Sequence, residues 1–372
     1  MTFCIITHVN HGCRKNYFYA YSPYVREMNV WTKQVDKLII VAPLNLKTIT
    51  PIDEFYQHPN IDFKKVNAFN FLTISSFLNT LVQLPKISFT IYKAMKESDH
   101  IHLRCPGNMG LLGCIIQLFF PSKKKTAKYA GNWDLKAKQP LSYRIQKWIL
   151  NNTLLTRNMT VLVYGEWEKS SKNIKSFFTA SYHEADKTVV VNKDLNSTIN
   201  FVFVGSLTAG KNPLYAIQLI EKLKIMNFNV SLSIYGTGLE HEKLDDYIQK
   251  NNLSSLINLL GNRNRDEIKW AYQNSHFVLL PSKSEGWPKV LAEGMFWKCL
   301  PIATRVSCVP NMLDNGERGI LLTMNLEVDC NEIENILLNE ELYQEKIQKG
   351  LNWSRKYTLD YFEEEIKKLV TS

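Results

Sequence analysis

Short apolar runs alternate along the chain with longer segments in which apolar residues recur every three or four positions. The short runs predict buried strands and the longer segments predict amphipathic helices. In the first half the predicted strands are Phe3–Thr7, Leu38–Ala42, His100–Leu103, Lys128–Ala130 and Thr160–Val163. In the second half they are Asn200–Val204, Val230–Tyr235, Ile257–Leu260, Phe277–Pro281, Leu300–Thr304 and Gly319–Leu322. This alternation predicts an α/β fold in which crossover helices join parallel strands.

The alternation occurs twice and therefore predicts two doubly wound, Rossmann-like domains. We place them at residues 1–188 and 189–351, with the boundary in the polar segment Asp186–Thr198. Residues 352–372 repeat aromatic and aliphatic residues at helical spacing and predict a terminal helix. We expect the two domains to face a cleft, because open α/β sheets bind ligands at the carboxyl ends of their strands. Closure about the linker would exclude water from that cleft.

Charge is distributed unevenly along the 372 residues. The net charge is +10, and residues 1–190 hold 25 basic and 12 acidic residues (+13) against 20 and 23 in residues 191–372 (−3). A basic domain indicates an acidic partner, such as nucleic acid, an anionic membrane surface or a phosphorylated ligand.

Seven cysteines without a C-x-x-C pair favour neither a disulfide framework nor a thiolate zinc site. A reducing, cytoplasmic setting fits this composition. The longest apolar stretch, Met109–Phe120, is shorter than the roughly 18 residues of a membrane span. The first residues also lack the basic region and apolar length of a signal peptide, so we expect any membrane contact to be peripheral.

Two loops of the second half predict an anion site. The first loop follows a strand and leads into a helix that begins at Asn212-Pro213; its sequence is Gly205-Ser206-Leu207-Thr208-Ala209-Gly210-Lys211. Such a helix start, with Lys211 beside it, favours a phosphate, although a turn with a solvated lysine is as common. Tyr235-Gly236-Thr237-Gly238 suits either close approach to a ligand or a plain tight turn.

The stretch Ser284-Glu285-Gly286-Trp287-Pro288-Lys289-Val290 follows the strand that ends near Leu280 and continues through a helix to Glu293-Gly294. We expect Pro288 in the first helical turn, which leaves the amides around it available to phosphate or sugar oxygens. Glu285 would then lie in the loop and Glu293 on the helix, with seven residues between them.

The motifs of residues 198–325, which also include Leu260-Gly261-Asn262, occur in the same order as in the retaining glycosyltransferases of family 4, also called group 1 glycosyl transferases. The chain resembles these enzymes in this region. The resemblance implies a GT-B architecture, with a C-terminal helix that crosses back to the first domain. It implies a nucleotide-diphosphate sugar as donor substrate and no separate cofactor. No Asp-x-Asp motif stands in a suitable loop, so we expect no metal requirement. Many members have an arginine where this chain has Ser206, so the diphosphate would depend more on Lys211 or on Arg104 and Lys289.

The resemblance also implies roles for individual residues. Glu293 would bind the ribose and Glu285 the transferred sugar, while Lys211 would neutralise the diphosphate. Asn262 and Arg263 would lie against the base, although a solvated arginine is an equal alternative. The full set of donor-binding residues is Gly205, Ser206, Lys211, Gly236, Asn262, Arg263, Glu285, Gly286, Trp287, Pro288, Lys289, Val290 and Glu293. The catalytic residues would be Glu285, Lys211 and Arg104.

The first half predicts an acceptor site less clearly. His8 and His11 follow the first strand and could act as acid/base groups, or they could be plain loop histidines. Arg104 follows the strand that begins at His100, and His102 is expected in the core. Asn132 and Asp134 stand where related enzymes often carry a histidine, and complete the predicted acceptor-binding set.

Two phenylalanines, Phe119-Phe120, are followed by four lysines: Lys123, Lys124, Lys125 and Lys128. This composition suggests a patch that docks on anionic lipid, although a solvated loop has the same composition. The expected reaction is transfer of a sugar, with retention, to a glycan or lipid-linked saccharide in cell-surface polysaccharide or lipopolysaccharide assembly. Other GT-B enzymes, such as a nucleotide-sugar 2-epimerase or a phosphorylase, remain open, as does a non-catalytic carbohydrate-binding protein. A DNA-glycosylating enzyme is disfavoured because basic and aromatic residues are not interleaved as in base readout, and we expect no nucleic-acid partner.

Overall fold

The computed structural model describes residues 1–45, 49–50, 52–67, 74–168 and 170–371, and the side chains of residues 74–82 are not considered. These residues form two compact units. The first contains Met1–Phe177 and Glu363–Ser372, and the second contains Phe178–Phe362. The predicted domain boundaries, 188/189 and 351/352, remain predictions.

The first unit is built on a seven-stranded parallel sheet in the order β10-β9-β8-β7-β1-β4-β6, beside a small antiparallel sheet in the order β2-β3-β5. Its strands are β1 (Thr2–Ile6), β2 (Gly12–Arg14), β3 (Tyr17–Tyr21), β4 (Lys37–Pro43), β5 (Asp53–Phe55), β6 (Ile61–Val66), β7 (His100–Cys105), β8 (Lys124–Tyr129), β9 (Met159–Tyr164) and β10 (Ile174–Phe177). Its helices are α1 (Ser22–Trp31), α2 (Ile74–Glu97), α3 (Asn108–Ile116) and α4 (Leu141–Leu150).

The second unit is built on a six-stranded parallel sheet in the order β13-β12-β11-β14-β15-β16. Its strands are β11 (Ile199–Val204), β12 (Val230–Tyr235), β13 (Ile257–Gly261), β14 (Phe277–Leu280), β15 (Leu300–Thr304) and β16 (Ile320–Leu322). Its helices are α5 (Pro213–Ile225), α6 (His241–Lys250), α7 (Arg265–Asn274), α8 (Lys289–Phe296), α9 (Val309–Met312), α10 (Leu326–Leu337) and α11 (Glu340–Ser354), followed by α12 (Leu359–Thr371).

Both sheets have the doubly wound topology predicted from the alternation of strands and helices. In the second unit the strand order reverses between β11 and β14, and in the first unit it reverses between β1 and β7. The loops that leave these strands diverge at the carboxyl edge, and ligands of open α/β sheets bind at such points. The topology therefore brings the loops after β11 and β14 together, although 74 residues separate Lys211 from Glu285.

The strands are apolar along nearly their whole length because helices cover both faces of a parallel sheet. Buried apolar side chains form one core in each unit. Three parts of the first unit lie outside the strand prediction: β6, β10 and the small antiparallel sheet. β6 and β10 include polar residues, such as Asp62 and Lys64 in β6, and so lack the apolar runs that marked the others. β3, at Tyr17–Tyr21, is mainly aromatic but lies outside the predicted strands.

The C-terminal segment differs from the single helix predicted over residues 352–372. Residues 352–354 complete α11, and α12 begins at Leu359 after a break. The hydroxyl of Thr358 accepts the amide of Tyr361 at the start of α12. Residues 363–372 belong to the first unit, where Glu363 pairs with Lys33 and Glu365 with Lys175, as expected for a helix that returns to the first domain.

The lysines of residues 123–128 are a correction to the predicted membrane patch. Residues 124–129 form β8, an internal strand of the sheet, in which Lys125 and Lys128 are buried. Lys125 donates to the carbonyl of Phe120 at 2.8 Å, and Lys128 Nζ lies 2.9 Å from Glu27 Oε1. Lys123 donates to the carbonyls of Lys96 and Ser98, and Lys124 to that of Val370. The four lysines therefore do not form an exposed docking patch. No described helix is long and apolar enough to cross a bilayer.

Candidate active site in the second unit

An ion pair between Lys211 and Glu285 lies at the point where the strand order of the second sheet reverses. Lys211 Nζ is 2.6 Å from Glu285 Oε1, and the carboxylate side chain is 7 % exposed whereas the lysine side chain is 31 % exposed. The amide of Lys283 also donates to the carbonyl of Gly210 at 2.8 Å. The two loops are thus joined by both a side-chain and a backbone contact.

The loop that carries Glu285 is fixed from beneath by the chain after β15. Cys308 Sγ donates to the carbonyl of Gly286 at 3.0 Å, and the hydroxyl of Thr304 donates to that of Ser282. Burial, with the nearby charge of Glu285 as a lesser cause, raises the pKa of Cys308 to about 12. This thiol is therefore neutral at physiological pH and acts as a structural donor.

Helix α8 begins at Lys289, one residue later than the sequence predicted. Pro288 lies directly before the helix, and its carbonyl accepts the amide of Leu291 at 3.1 Å. The first-turn amides of Lys289 and Val290 point out of the helix N-terminus, as first-turn amides do. Trp287 stacks on Trp353 of α11, with ring centroids 6.0 Å apart, so its side chain anchors the loop.

The first helix of the unit also differs in detail from its prediction. Asn212 precedes Pro213 as expected, but it adopts a left-handed conformation (φ 53°) and its side chain makes no capping bond. The turn at Asn212 places Lys211 beside the Glu285 loop. Gly205 donates its amide to the carbonyl of Tyr235, and Ser206 is exposed.

Gly236 and Gly238 are required because their loop passes close to the Gly205 loop. A Cβ on Gly236 (φ 140°) would lie 1.8 Å from the carbonyl oxygen of Gly205, and one on Gly238 would lie 2.3 Å from that of Leu207. The amide of Leu207 donates to Thr237 at 3.0 Å. From the sequence, these glycines could serve either close approach to a ligand or a plain tight turn. In the structure they allow close contact between two loops.

Replacing Gly236 with alanine should therefore lower the unfolding free energy of the second unit by about 2 to 4 kcal/mol, through backbone strain and steric overlap. Gly261→Ala is a matched control, because Gly261 also has a positive φ (68°) but no atom lies within 4 Å of the position that its Cβ would take. We expect the control to lose about 1 kcal/mol. Urea titration measures both losses, and equal losses would contradict the overlap.

Glu293 lies on α8 and is held by two hydroxyl groups that the sequence did not indicate. Ser181 Oγ donates to Glu293 Oε1 at 2.5 Å, and Tyr272 OH donates to Oε2 at 3.2 Å. Burial, together with the charge of Glu293, raises the pKa of Tyr272 well above its ordinary value. Tyr272 therefore remains a donor, and it fixes the position of the carboxylate.

The loop after β13 is tied to the Gly236 loop. Asn262 Nδ2 donates to Thr237 Oγ1 at 3.0 Å. Arg263 donates to the carbonyl of Leu260 at 3.0 Å and lies 3.5 Å from Glu267, with its side chain 44 % exposed. Asn262 thus connects the loop after β13 to the loop after β12, while the guanidinium of Arg263 is occupied by local acceptors.

In the first unit, Arg104 and His8 lie near each other at the carboxyl edge. Arg104 Nη1 is 3.0 Å from Glu27 Oε1, the same oxygen that Lys128 contacts, and its guanidinium lies over the ring of Tyr24. Partial burial, with the charge of Arg104 as a second cause, lowers the pKa of His8. Two cations therefore share one buried carboxylate beside an imidazole that is mostly neutral at pH 7.

The other predicted acceptor residues have structural roles in this part of the molecule. His11 is 1 % exposed, and its ring nitrogens contact the carbonyl of Val9 (2.7 Å) and the hydroxyl of Tyr56 (2.8 Å). Burial lowers its pKa to about 4. Asn132 accepts the amide of Asp134, whose carboxylate accepts that of Lys136, so both organise their own loop. His102 is a core residue bonded to Thr126 as expected.

No group of three His, Cys, Asp or Glu side chains is arranged to hold a metal ion in the ranges that the structure describes. The metal-independent reaction expected from the sequence remains a prediction.

Comparison with known proteins identifies the fold. Over its whole length the chain has the fold of the GT-B glycosyltransferases, with two parallel-sheet, Rossmann-like units. It is similar to HepE of Anabaena in complex with UDP and glucose (TM-score 0.69, 12% identity, covering 100% of this chain and 99% of that one). It is also similar to sucrose-phosphate synthase of Thermosynechococcus elongatus (TM-score 0.68, 15% identity, covering 99% and 98%).

Residues 189–353 match the family model for glycosyl transferases group 1, and this part of the chain belongs to that family. An uncharacterised glycosyltransferase of Methanocaldococcus jannaschii is 32% identical over 189 residues, which are 50% of this chain and 51% of that protein. An α-1,4-N-acetyl-D-galactosaminyltransferase of Campylobacter jejuni, named for an acceptor linked to undecaprenol diphosphate, is 23% identical over 172 residues, 45% of this chain and 47% of that protein. The chain spans about half the length of the curated relatives that it matches.

Proposed function

We propose that this protein is a retaining glycosyltransferase that uses a nucleotide-diphosphate sugar as donor and a hydroxyl of a glycan or lipid-linked saccharide as acceptor. The observation that carries the proposal is the Lys211–Glu285 pair beside the N-terminus of α8, at the reversal point of the second sheet. A cation, first-turn amides and a positioned carboxylate at one edge suit a diphosphate joined to a sugar.

In this proposal Lys211 and the first-turn amides of α8 bind the diphosphate. A lysine ammonium has three donors, of which the bond to Glu285 takes one. Glu285 accepts hydroxyls of the transferred sugar, and Glu293 accepts those of the ribose. The hydroxyls of Ser181 and Tyr272 keep Glu293 in place, so the ribose meets a carboxylate whose position is already fixed.

The chemical step develops negative charge on the departing diphosphate. We propose that Lys211 and the N-terminus of α8 stabilise this charge. Electrostatic stabilisation of the transition state is usually the largest single contribution to an enzyme's rate acceleration. A phosphate oxygen of the leaving group takes the proton of the acceptor hydroxyl, which attacks the same face of the sugar and gives retention. Arg104 and His8 would act on the acceptor side. The reaction should persist in EDTA if no metal is required.

Relatives support the choice of substrates to test first. The name of the Campylobacter enzyme specifies an undecaprenol-linked saccharide, and the similar structure of HepE contains UDP and glucose. We therefore propose UDP-sugars and lipid-linked saccharides, with a cytoplasmic protein that works at the inner face of the membrane in cell-surface polysaccharide or lipopolysaccharide assembly.

A thermal-shift panel tests the donor site. It compares the free nucleotides UDP, GDP and ADP with the corresponding nucleotide sugars. One nucleotide at about 100 times its Kd should stabilise the protein by about 2.7 kcal/mol. The same nucleotide should have a much smaller effect on Lys211→Ala. The absence of any shift would favour a non-catalytic carbohydrate-binding protein. Conversion of the donor sugar without a glycosylated product would favour a 2-epimerase.

A further inference from the structure

The outward face of helix α4 carries apolar residues that the donor site does not use. Leu141, Ile145 and Trp148 are spaced four and three residues apart, which places them on one face of the helix. Their exposed fractions are 68%, 38% and 64%. The inward residues Ile149 and Leu150 already belong to the core of the first unit. Helix α4 is therefore apolar on two sides, and the core covers one of them.

Residues on either side of the helix extend this face. Leu135 precedes α4 and is 55% exposed, and Leu154 follows it and is 74% exposed. With Trp148 and Arg144 they border a groove of about 540 Å³. We call Leu135, Leu141, Ile145, Trp148 and Leu154 the α4 surface. Apolar residues clustered in this way on a protein surface mark an interaction site.

The charge around the α4 surface identifies the kind of partner. From Leu135 to Gly165, the part of the chain that contains α4, the sequence has five basic residues and no acidic residue. Lys136, Lys138, Arg144 and Arg157 are exposed around α4. A second copy of the chain would bring like charges together, whereas an anionic surface would be attracted.

We propose that the α4 surface docks on an anionic lipid bilayer. The apolar side chains enter the boundary between headgroups and acyl chains, and Trp148 takes the interfacial position that tryptophan favours. The exposed cations face the lipid phosphates. This surface is different from the lysine run of residues 123–128, two of whose members are buried in β8.

Docking at α4 has a consequence for the acceptor. Leu135 and Leu141 lie at the end of α4 that follows the carboxyl end of β8, and Arg104 lies near the carboxyl end of the neighbouring strand β7. A bilayer held at this edge would present lipid-linked saccharides to Arg104, and only this consequence rests on the proposed function.

Co-sedimentation of the full chain with vesicles tests the docking. We expect binding to vesicles of phosphatidylglycerol and phosphatidylethanolamine, and not to phosphatidylcholine alone. The double variant Leu141→Ser/Trp148→Ser should lose about 100-fold in partitioning, since it removes the buried apolar area. Arg144→Glu/Arg157→Glu should lose about tenfold or more, and wild-type binding should weaken with salt.

Trp270→Ser is the matched control. Trp270 lies on α7 and is 62% exposed, and in this helix Arg265 and Lys269 balance Asp266 and Glu267. The Trp270→Ser variant should bind vesicles within about twofold of the wild type, because this helix has no excess of cations to attract an anionic surface. Circular dichroism should show unchanged folding of all variants, since every substituted side chain is exposed. A second measurement avoids polar substitutions. Brominated phosphatidylglycerol should quench the tryptophan fluorescence of the wild type more than that of the Trp148→Phe variant.

Three results would overturn the proposal: no sedimentation of the wild type with anionic vesicles, equal losses for the Trp148 and Trp270 variants, or equal quenching of the wild type and Trp148→Phe. A dimer in sedimentation velocity that Trp148→Ser abolishes would also overturn it and would assign the surface to a second copy. No nucleotide or sugar is present in these measurements, so their failure is distinct from failure of the donor site.

Discussion

Substituting Glu285 with glutamine should lower kcat for sugar transfer by about 10²- to 10³-fold, the loss typical when one preorganised polar group is removed from a catalytic site. The amide keeps the size of the side chain but removes the charge that pairs with Lys211 at 2.6 Å. Lys211→Met should cause a loss of similar size and should also weaken nucleotide binding. Initial rates with the donor identified by the nucleotide panel measure both effects.

The double variant distinguishes a catalytic pair from two independent contributions. Because the two groups act together, the double variant should lose little more than the worse single variant. Lys349 and Glu317 form a matched control in the same unit, with a separation of 2.7 Å and exposed side chains. Neutralising that pair should leave the rate within about twofold, since exposed ion pairs contribute little. A Lys211/Glu285 double variant with wild-type turnover would contradict the proposed site.

Glu27→Ala should lower the unfolding free energy of the first unit by about 3 to 5 kcal/mol, because it leaves buried cations without their shared carboxylate. Arg104 and Lys128 both lie within 3.0 Å of Glu27 Oε1, and the Lys128 side chain is fully buried. Urea titration measures the loss, and hydrogen exchange of the β7 and β8 amides assigns the transition to the first unit.

Two controls accompany this prediction. Glu363→Ala removes an exposed pair with Lys33 in the same unit and should cost no more than about 1 kcal/mol. The triple variant Glu27→Leu/Arg104→Met/Lys128→Met should recover most of the loss, since an apolar set of similar volume removes the unpaired charges. If Glu27→Ala were no more costly than Glu363→Ala, the cluster would not hold the unit together.

The Lys211–Glu285 site of the second unit could be predicted from sequence because its polar residues follow strand ends. Lys211 and Glu285 each lie in a loop after an apolar run, and doubly wound topology brings such loops to one edge. Ser181 and Tyr272 could not be found in this way. Ser181 lies in a segment without periodic pattern, 112 residues before Glu293. Tyr272 lies on α7, and the pattern of that segment indicates a helix but does not indicate that Tyr272 bonds to Glu293.

The first half shows the limit of local patterns for charged residues. A run of lysines has the composition of a solvated loop, yet Lys128 is buried because Glu27, distant in sequence, supplies the opposite charge. His11 is similar, since Tyr56, 45 residues later, makes its burial possible. In both cases the compensating group comes from elsewhere in the fold, and the sequence near the residue carries no sign of it.

The chain passes from the first unit to the second and returns for its last described residues, 363–371. During synthesis a ribosome therefore completes the second unit before it releases the final part of the first. Lys33 is synthesised 330 residues before its partner Glu363, and Lys175 is synthesised 190 residues before Glu365. The order of translation thus makes the second unit the earlier of the two to have all its described residues synthesised.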